Sequence, residues 1–370
     1  MIHLTAIAVV IAVCVPAAAD KEEADRPRLV DEVSVFAEDD VAWRFSTKTY
    51  WPLMRLSPDG RKLLYLRRTK AGGVMFALTL RDLATGEDQR VPMPPVATDF
   101  ANFYPRIDPF DSAGNRMVLT LIDKDVPGET KIILWKLGDK KSTDTPIAGR
   151  FVYAEFDRTG KRLIVNVDQR LWFARPPQFE LEPTGASGVL WSRCPTQDLI
   201  AIYTVRRLPG EREPEEQLIL YDLEAKEQRD VLPLNSGGWL DDLKTKWTQD
   251  GRHLYYADPP EVRVWDRAAA KIGAYLDASY PVGPGPGTGA GESTMVLKRV
   301  RRSAEYLGQA ELRNIVLHNA ATGEAWELGD TNFEVQDARA GRVVYLKHGP
   351  GGRATVHLAR IVMPAAGGDE

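Results

Sequence analysis

Short apolar runs preceded by a polar turn recur along most of the chain. The stretch SPDGRKLLYL at residues 57–66 places Asp59 and Gly60 shortly before an apolar segment. Copies with the same order of turn, basic residue and apolar run lie at residues 110–121, 156–167 and 247–257. A second pattern follows, an apolar run closed by a polar turn, as in LTLRDLATGE at residues 78–87. Runs this short between turn residues predict β-strands, four to each unit.

The turn positions give the spacing of the units. Glycine occupies this position at residues 60, 114, 160, 251 and 341, and Asp198 replaces it in a degenerate copy. A further copy at residues 291–300 has lost its turn, which gives seven units of about 47 residues. We therefore predict an all-β chain, a seven-bladed β-propeller of four-stranded antiparallel blades, with six or eight blades as alternatives. The competing interpretation is a β-sandwich.

The last unit lacks an outer strand, because only PAAGGDE follows its third apolar run. A propeller must join its last blade to its first or leave unpaired strand edges. The segment VDEVSVFA at residues 30–37 alternates Val33 and Val35 with polar neighbours. We predict that this amino-terminal segment supplies the missing strand.

These repeats resemble a known class of propeller. SPDGRKLLYL, the later DG and TG turns and the dipeptide Trp265-Asp266 are similar to TolB-type, WD-like repeats, which also occur in the propeller of prolyl oligopeptidase relatives. The resemblance covers most of residues 45–360 and implies the fold but no activity. The chain has no GxSxG nucleophile elbow, and residues 20–43 are too few for the additional α/β domain of TolB.

The amino terminus predicts export. An apolar run from Leu4 to Val15 precedes the small-residue site Ala17 to Ala19, which is typical of a signal peptide cleaved after Ala19. The run is short for a membrane span, so we expect no stable span after cleavage and a periplasmic or secreted protein. An uncleaved anchor and a lipoprotein signal remain alternatives. The predicted organisation is a signal peptide at 1–19, a flexible acidic lead at 20–29, the propeller at 30–363 and a disordered tail at 364–370.

Composition and charge narrow the function. The 370 residues are 44% hydrophobic and 27% charged, and the formal net charge is only -4. This balance gives no reason to expect a nucleic-acid partner. The histidines lack metal-site spacing, GPGPGTGAG at residues 283–291 is no dinucleotide fingerprint, and Cys194 is interpreted as a buried apolar residue. We predict no metal, no cofactor and no catalytic residue, and we interpret the glycine-rich segment as a flexible interblade linker.

Long, irregular segments predict which face binds a partner. In such blades the turns joining strands one to two and three to four lie on one face, and the other connections, which are longer here, lie on the opposite face. Basic residues recur there where second strands end, and two tryptophans lie near the same face. The candidate binding residues are Arg67, Arg68, Arg206, Arg207, Arg299, Arg301, Arg302, Trp51 and Trp239.

The sequence therefore predicts a monomeric binding or scaffold module with a protein or peptide partner, which the basic residues would suit if it were acidic. Solvated or paired strand-end arginines are the simpler explanation of the same residues. The alternative function is a propeller hydrolase or lyase with its site at the central channel. The predicted inner strands offer few groups for that chemistry, namely Arg55, Arg106, Tyr153 and Glu155. A structural envelope protein is a third class.

Overall fold

The computed structural model describes residues 26–35, 54–68, 75–92, 96–97, 108–122, 129–149, 152–188, 190–206, 215–234, 245–258, 261–277, 279–286, 293–301, 312–329, 333–348 and 354–364. Every regular element in these stretches is a β-strand, and they contain no helix able to cross a membrane. The strands form seven antiparallel sheets, the blades of a seven-bladed β-propeller. The predicted fold class and blade number are confirmed.

The blades are numbered in chain order. Blade 1 consists of β2 (Met54–Leu56), β3 (Lys62–Arg68), β4 (Met75–Asp82) and β5 (Asp88–Arg90), and β6 (Val96–Ala97) also pairs with β4. Blade 2 consists of β7 (Arg116–Ile122), β8 (Glu129–Lys136) and β9 (Thr143–Ala148). Blade 3 consists of β10 (Val152–Phe156), β11 (Leu163–Val167), β12 (Arg170–Ala174) and β13 (Leu181–Ser187). In the described part of blade 2, a bridge from Phe110 to Met117 lies where the other blades have their first strand.

The remaining blades follow the same order. Blade 4 consists of β14 (Leu190–Arg193), β15 (Leu199–Arg206), β16 (Glu215–Asp222) and β17 (Glu227–Leu232). Blade 5 consists of β18 (Thr245–Trp247), β19 (His253–Asp258), β20 (Glu261–Asp266) and β21 (Lys271–Asp277). Blade 6 consists of β22 (Ser279–Pro284), β23 (Thr294–Arg301), β24 (Leu312–Asn319) and β25 (Ala325–Leu328). Blade 7 consists of β26 (Phe333–Arg339), β27 (Arg342–His348), β28 (Ala354–Val362) and β1 (Arg28–Ser34).

The ring closes where the amino-terminal strand joins the last blade, as predicted. Strand β1 pairs antiparallel with β28, and it begins two residues before the predicted segment. Its register is irregular between Val30 and Val33. Val35 is buried in the cluster that joins blades 7 and 1, but Val33 is 52% exposed. The alternation read from the sequence therefore holds for Val35 and fails for Val33, beside this irregularity.

Seven clusters of buried apolar side chains fill the spaces between the blades, one for each pair of neighbours. Leu64 of blade 1 shares a cluster with Trp135 of blade 2, and Leu56 of blade 1 shares one with Val344 of blade 7. Trp247, Phe110 and Phe156 lie in such clusters, and so does Cys194, as predicted. Neighbouring blades therefore share their cores, and this packing fixes the position of every first strand.

The recurring turn glycine packs against the first turn of the preceding blade. Gly60 has φ +68°, and a Cβ atom there would lie 3.2 Å from the Ala340 Cβ of blade 7. Gly251 has φ +65°, and a Cβ atom there would lie 2.7 Å from the Cys194 Sγ of blade 4. Glycine suits both the left-handed backbone and the close approach. We call the side of the ring that carries these turns the turn face, and the opposite side the loop face.

The glycine-rich segment of blade 6 corrects one prediction. Its first residues are not an interblade linker, because β22 is the first strand of that blade and includes Gly283. A Cβ atom at Gly285 would lie 2.7 Å from Leu317 Cδ1. The segment therefore leads from the first to the second strand on the turn face, and residues 287–292 lie outside the described residues. Glycine and proline concealed the strand because both disfavour strand interiors.

Candidate functional site

The first strands surround a central cavity of about 510 Å³. Contacts join β2 with β26, β26 with β22, β22 with β18, and β18 with β14 around this centre. All seven blades supply lining residues. First-turn residues, among them Pro58, Ala113 and Gln249, also line the cavity, so it opens toward the turn face. A concave site of this volume can hold a small molecule or part of a peptide.

A chain of ion pairs crosses one side of the cavity. Arg339 of β26 donates through Nη1 to Asp108 Oδ2 of blade 2 at 2.7 Å, and its Nε lies 3.8 Å from Asp337 Oδ2. The Asp337 carboxylate also accepts the Leu56 amide of blade 1 at 2.8 Å. Blades 7, 1 and 2 are therefore tied together by charged groups at the cavity wall.

Burial and neighbouring charges have opposite effects on the pKa values of Asp108 and Arg339. Burial raises the pKa of Asp108, but the charge and hydrogen bond of Arg339 outweigh it and leave that pKa below its usual value. Burial lowers the pKa of Arg339, but the charges of Asp108 and Asp337 outweigh it and leave the pKa raised. Both groups are thus held in their charged forms.

Arg55 of β2 lies beside this chain of ion pairs. Its Nη1 donates to the carbonyl oxygen of Met54 at 2.9 Å and to that of Gln336 at 3.4 Å. Burial lowers the pKa of Arg55, and the nearby Asp337 charge opposes that shift without cancelling it. The backbone carbonyls hold this guanidinium beside the two carboxylates at the centre of the ring.

Two further cations on the opposite blades have no such partners. Lys246 of β18 and Arg193 of β14 line the cavity, and neither side chain makes a hydrogen bond or ion pair with another described residue. Arg193 Nε is buried without a hydrogen-bond partner in the described structure. Burial, followed by the charge of Arg55, lowers the pKa of Lys246 to about 8. Both side chains are ready to receive an acceptor that the described chain does not provide.

Basic and acidic side chains are nearly balanced at the cavity. Its lining residues include three basic side chains and four acidic ones: Arg193, Lys246 and Arg339 with Asp59, Asp108, Glu155 and Asp337. Arg55 lies beside this wall and acts on Lys246 through its charge. Among the described residues no group of three or more His, Cys, Asp or Glu side chains is placed to hold a metal ion. The two cations without partners among the described residues, Lys246 and Arg193, therefore suit an anionic group, and the total charge of the wall does not.

The candidate residues predicted from the sequence that the structure describes are not among those lining this cavity. Arg67 is exposed at the end of β3 and contacts Asp88 of its own blade at 3.2 Å. Arg68, Arg206 and Arg301 end second strands as predicted, and Arg299 lies within β23. Trp51, Arg207, Trp239 and Arg302 lie outside the described residues, as does Arg106. For Arg67 the simpler explanation, a paired strand-end arginine, fits the structure.

Sequence reasoning recovered Glu155 of the cavity and Arg55 beside it, and it missed the other charged residues. A signal for two of the missed ones was present in the repeat itself. Counting five residues back from each turn position 60, 160, 198 and 251 gives an ionisable residue: Arg55, Glu155, Arg193 and Lys246. When the units are aligned on their turns, these four residues occupy the same position in their blades and therefore lie at the same height along the axis of the ring. In blade 7 the register is irregular between Val335 and Asp337, so the same count gives Gln336 instead.

The chain is similar to solved structures only in fold. It matches no protein-family model and no curated protein. It is similar to the β-propeller domain of Swd1 from Myceliophteria thermophila, with a TM-score of 0.53, 12% identity, and coverage of 90% of this chain and 100% of that one. It is also similar to oligogalacturonate lyase in complex with manganese, with a TM-score of 0.54, 12% identity and coverage of 90% and 95%.

A third similar structure allows a comparison of ring closure. The propeller domain of the trilobed protease from Pyrococcus furiosus matches with a TM-score of 0.54 and 11% identity, covering 86% of this chain and 97% of that one. That domain is described as having an open velcro topology. Here β1 completes blade 7. Identities this low show the fold alone, and by that fold the chain is a β-propeller.

Proposed function

We propose that this chain is a binding module that receives part of a protein or peptide partner in the central cavity, through its opening on the turn face. The observation that carries this proposal is that Lys246 and Arg193 line an open cavity without partners among the described residues. Removing cations from water without a partner costs free energy, so such groups are more common at binding sites than in ordinary protein walls.

A second surface supports the same general function. Arg206 and Arg301 each end the second strand of a blade on the loop face, and Arg207 and Arg302 follow them directly in the sequence. A basic rim of this kind would suit an acidic partner surface. The two surfaces lie on opposite faces of the ring, so one set of variants can distinguish them.

A specific observation also supports the enzyme alternative. The cavity brings Lys246, whose burial lowers its pKa to about 8, together with the carboxylates of Asp108, Asp337 and Glu155. A lysine whose pKa lies near neutral pH can donate or accept a proton, and neighbouring carboxylates can take part in such acid–base chemistry. Ser112 and Ser192 also line the cavity, whereas none of its described lining residues is a histidine or cysteine. The cations without partners are the observation that favours binding.

The experiment compares partner recovery by three variants of the exported chain. Ala113→Trp places a large side chain at the cavity opening, and Thr85→Trp places the same side chain on an exposed second turn of blade 1 as the control. The third variant changes Arg206, Arg207, Arg301 and Arg302 together to Ser. Cross-linking in cells followed by mass spectrometry measures which partners each variant retains.

We expect partners recovered by wild type and by Thr85→Trp to be lost by Ala113→Trp. If Ala113→Trp retains every partner and the fourfold arginine variant loses them, the loop face is the binding surface and the cavity proposal is wrong. If all variants retain every partner, both surfaces are excluded. Amino-terminal sequencing of the chain from a periplasmic fraction tests export, because cleavage after Ala19 leaves Asp20 as the first residue.

A further inference from the structure

We infer that the central cavity recognises a single carboxylate group of its partner, with Lys246 and Arg193 as the receptors for that group. This inference rests on the proposed function and specifies its chemistry. The carboxylate would enter from the turn face and lie between blades 4 and 5, where both cations project into the cavity. The repeat marks the positions of these two cations, but neither the repeat nor the fold similarity assigns them a ligand.

The two receptors are held at a fixed distance by the strands that carry them. Strands β14 and β18 are in contact, and Trp247 Nε1 donates to the Ser192 carbonyl oxygen across this contact at 3.0 Å. Ser192 precedes Arg193, and Trp247 follows Lys246. Trp247 is also buried in the cluster between blades 4 and 5. The pair therefore sits on a rigid wall, which lowers the entropic cost of binding.

The acidic groups among the described cavity residues interact with groups other than these two receptors. Asp108 accepts from Arg339, and Asp337 accepts from the Leu56 amide while facing Arg339. Asp59 accepts from the Ser57 hydroxyl, and Glu155 has interactions of its own. Arg193 affects Asp108 through its charge only, without a hydrogen bond. The Arg193 guanidinium can thus offer a two-point contact to a carboxylate, and the Lys246 ammonium a point charge beside it.

The acidic residues of the cavity favour a carboxylate over a phosphate. When the neighbouring Arg55 is included, four basic and four acidic side chains surround the cavity, so it carries no excess positive charge. A doubly charged phosphate would bring more negative charge than a carboxylate, and it would lie near the carboxylates of Asp108, Asp337 and Glu155. Like-charge contacts at this range are unfavourable. The cavity volume of about 510 Å³ also fits one acidic side chain or chain end better than a folded surface.

Binding should be linked to protons through Lys246. The groups that act on it are Arg55 from β2, Asp337 and Arg339 from β26, and Asp108 from blade 2. Burial and the two arginines favour its neutral form, so a bound carboxylate would raise its pKa again. The complex should therefore take up protons near pH 8 to 9, and affinity should fall as pH rises through this range while arginine stays protonated.

The test is isothermal titration of the mature chain with defined probes. The probes are acetyl-Ala-Glu-Ala-amide, its Gln counterpart, acetyl-Ala-Ala-Ala with a free carboxyl end, and inorganic phosphate. We expect the Glu probe to bind and the Gln probe not to bind. The free-end probe distinguishes a chain terminus from an acidic side chain as the source. Titrations at pH 8.5 in buffers of different ionisation enthalpy should show proton uptake.

Variants separate this site from other cationic surfaces. Lys246→Met and Arg193→Met should each weaken the Glu probe at least tenfold, and proton uptake should vanish in Lys246→Met. The control is Lys226→Met, an exposed lysine paired with Glu182 at 3.3 Å, which should bind like wild type. Both Met variants remove a charge from the wall without adding a polar group, and thermal unfolding checks that they fold.

The other possible results distinguish the carboxylate inference from the proposed binding function. Tighter binding of phosphate than of the Glu probe would overturn the carboxylate assignment, as would unchanged affinity in both Met variants. If no probe binds to folded wild type while Ala113→Trp still loses the cellular partner, the carboxylate inference fails and the proposed binding function stands. If Ala113→Trp loses no partner but the Glu probe binds through Lys246, the carboxylate site is real and the peptide function is wrong.

Discussion

Arg339 in blade 7 donates a 2.7 Å hydrogen bond to Asp108 in blade 2, although blade 1 lies between these blades in the ring. The two side chains meet because the first strands converge on the centre. Both are largely buried, with side-chain exposures of 15% and 23%. Their contact therefore joins the last and the second blades at the wall of the central cavity.

Replacing Arg339 should destabilise the propeller. Arg339→Met leaves the Asp108 and Asp337 carboxylates largely buried without their cation, and breaking such a pair costs about 3 kcal/mol. Lys226→Met is the control, because its pair with Glu182 is about half exposed at both side chains and such pairs contribute at most about 1 kcal/mol. Urea unfolding measures both. Equal losses of unfolding free energy would show that the Arg339 pair contributes no more than a surface contact.

Local patterns were enough to predict the fold. The Asp59-Gly60 turn is specified by neighbours in sequence, since Asp59 accepts from the Ser57 hydroxyl and the Arg61 amide within the same turn. Repetition of such units then leaves few arrangements that bury both faces of each sheet. The strand β22 escaped prediction because Gly283 and Pro284 occupy positions where strands usually carry β-branched or aromatic residues.

The cavity could be predicted only in part. Lys246 and Arg193 lie on strands of three and four residues, too short for a periodic pattern to show which side faces the centre. Their approach depends on the radius of the ring, which no local stretch encodes. The pairing of Arg339 with Asp108 spans 231 residues and also requires the closed ring. Counting back from the turns shows that Lys246 and Arg193 occupy the same position in their blades, but it does not show which charged side chains have no partner.

His318 should make stability depend on pH. Its Nδ1 lies 2.7 Å from the Tyr255 hydroxyl of blade 5, and burial, followed by the charge of His253, lowers the pKa of His318 to about 4. As pH falls, His318 binds a proton near pH 6.5 in the unfolded chain but only at a lower pH in the folded chain. Stability should therefore be complete above pH 6.5 and fall as pH drops toward 4, by about 3 kcal/mol at most from this residue.

The matched variant for this prediction is His318→Asn, which keeps an acceptor near the Tyr255 hydroxyl and removes the titrating ring. Its unfolding free energy should change less between pH 7 and pH 5 than that of wild type. Urea unfolding at several pH values measures both slopes. Parallel curves would mean that His318 does not cause the pH dependence.

Two valines near the end of the amino-terminal strand, Val33 and Val35, test how much this segment contributes to ring closure. Val35 is 8% exposed in the cluster between blades 7 and 1, and its amide donates to the Val356 carbonyl oxygen at 2.9 Å. Val35→Asp should reduce the unfolding free energy by about 3 kcal/mol, because it buries a carboxylate among apolar groups. Val33→Asp changes a half-exposed residue and should cost within about 0.5 kcal/mol.

Limited proteolysis adds a second measurement for this pair. Detachment of β1 would expose the edge of β28, so Val35→Asp should be cleaved near the amino terminus faster than Val33→Asp. Similar stability and similar cleavage rates for the two variants would show that β1 is not needed to close the ring.

Substitutions at two turn glycines can distinguish the cost of backbone strain from the cost of steric contact. Gly323 has φ +78° with nothing within 4 Å of a Cβ atom, so Gly323→Ala should cost only about 1 kcal/mol for the left-handed backbone. Gly251 has a similar φ, but a Cβ atom there would approach Cys194 Sγ to 2.7 Å. Gly251→Ala should cost about 2 kcal/mol more, because blade 5 must move away from blade 4. Urea midpoints measure this difference. Equal costs would mean that the contact between successive turns can relax freely, and that the glycine recurs for its backbone conformation alone.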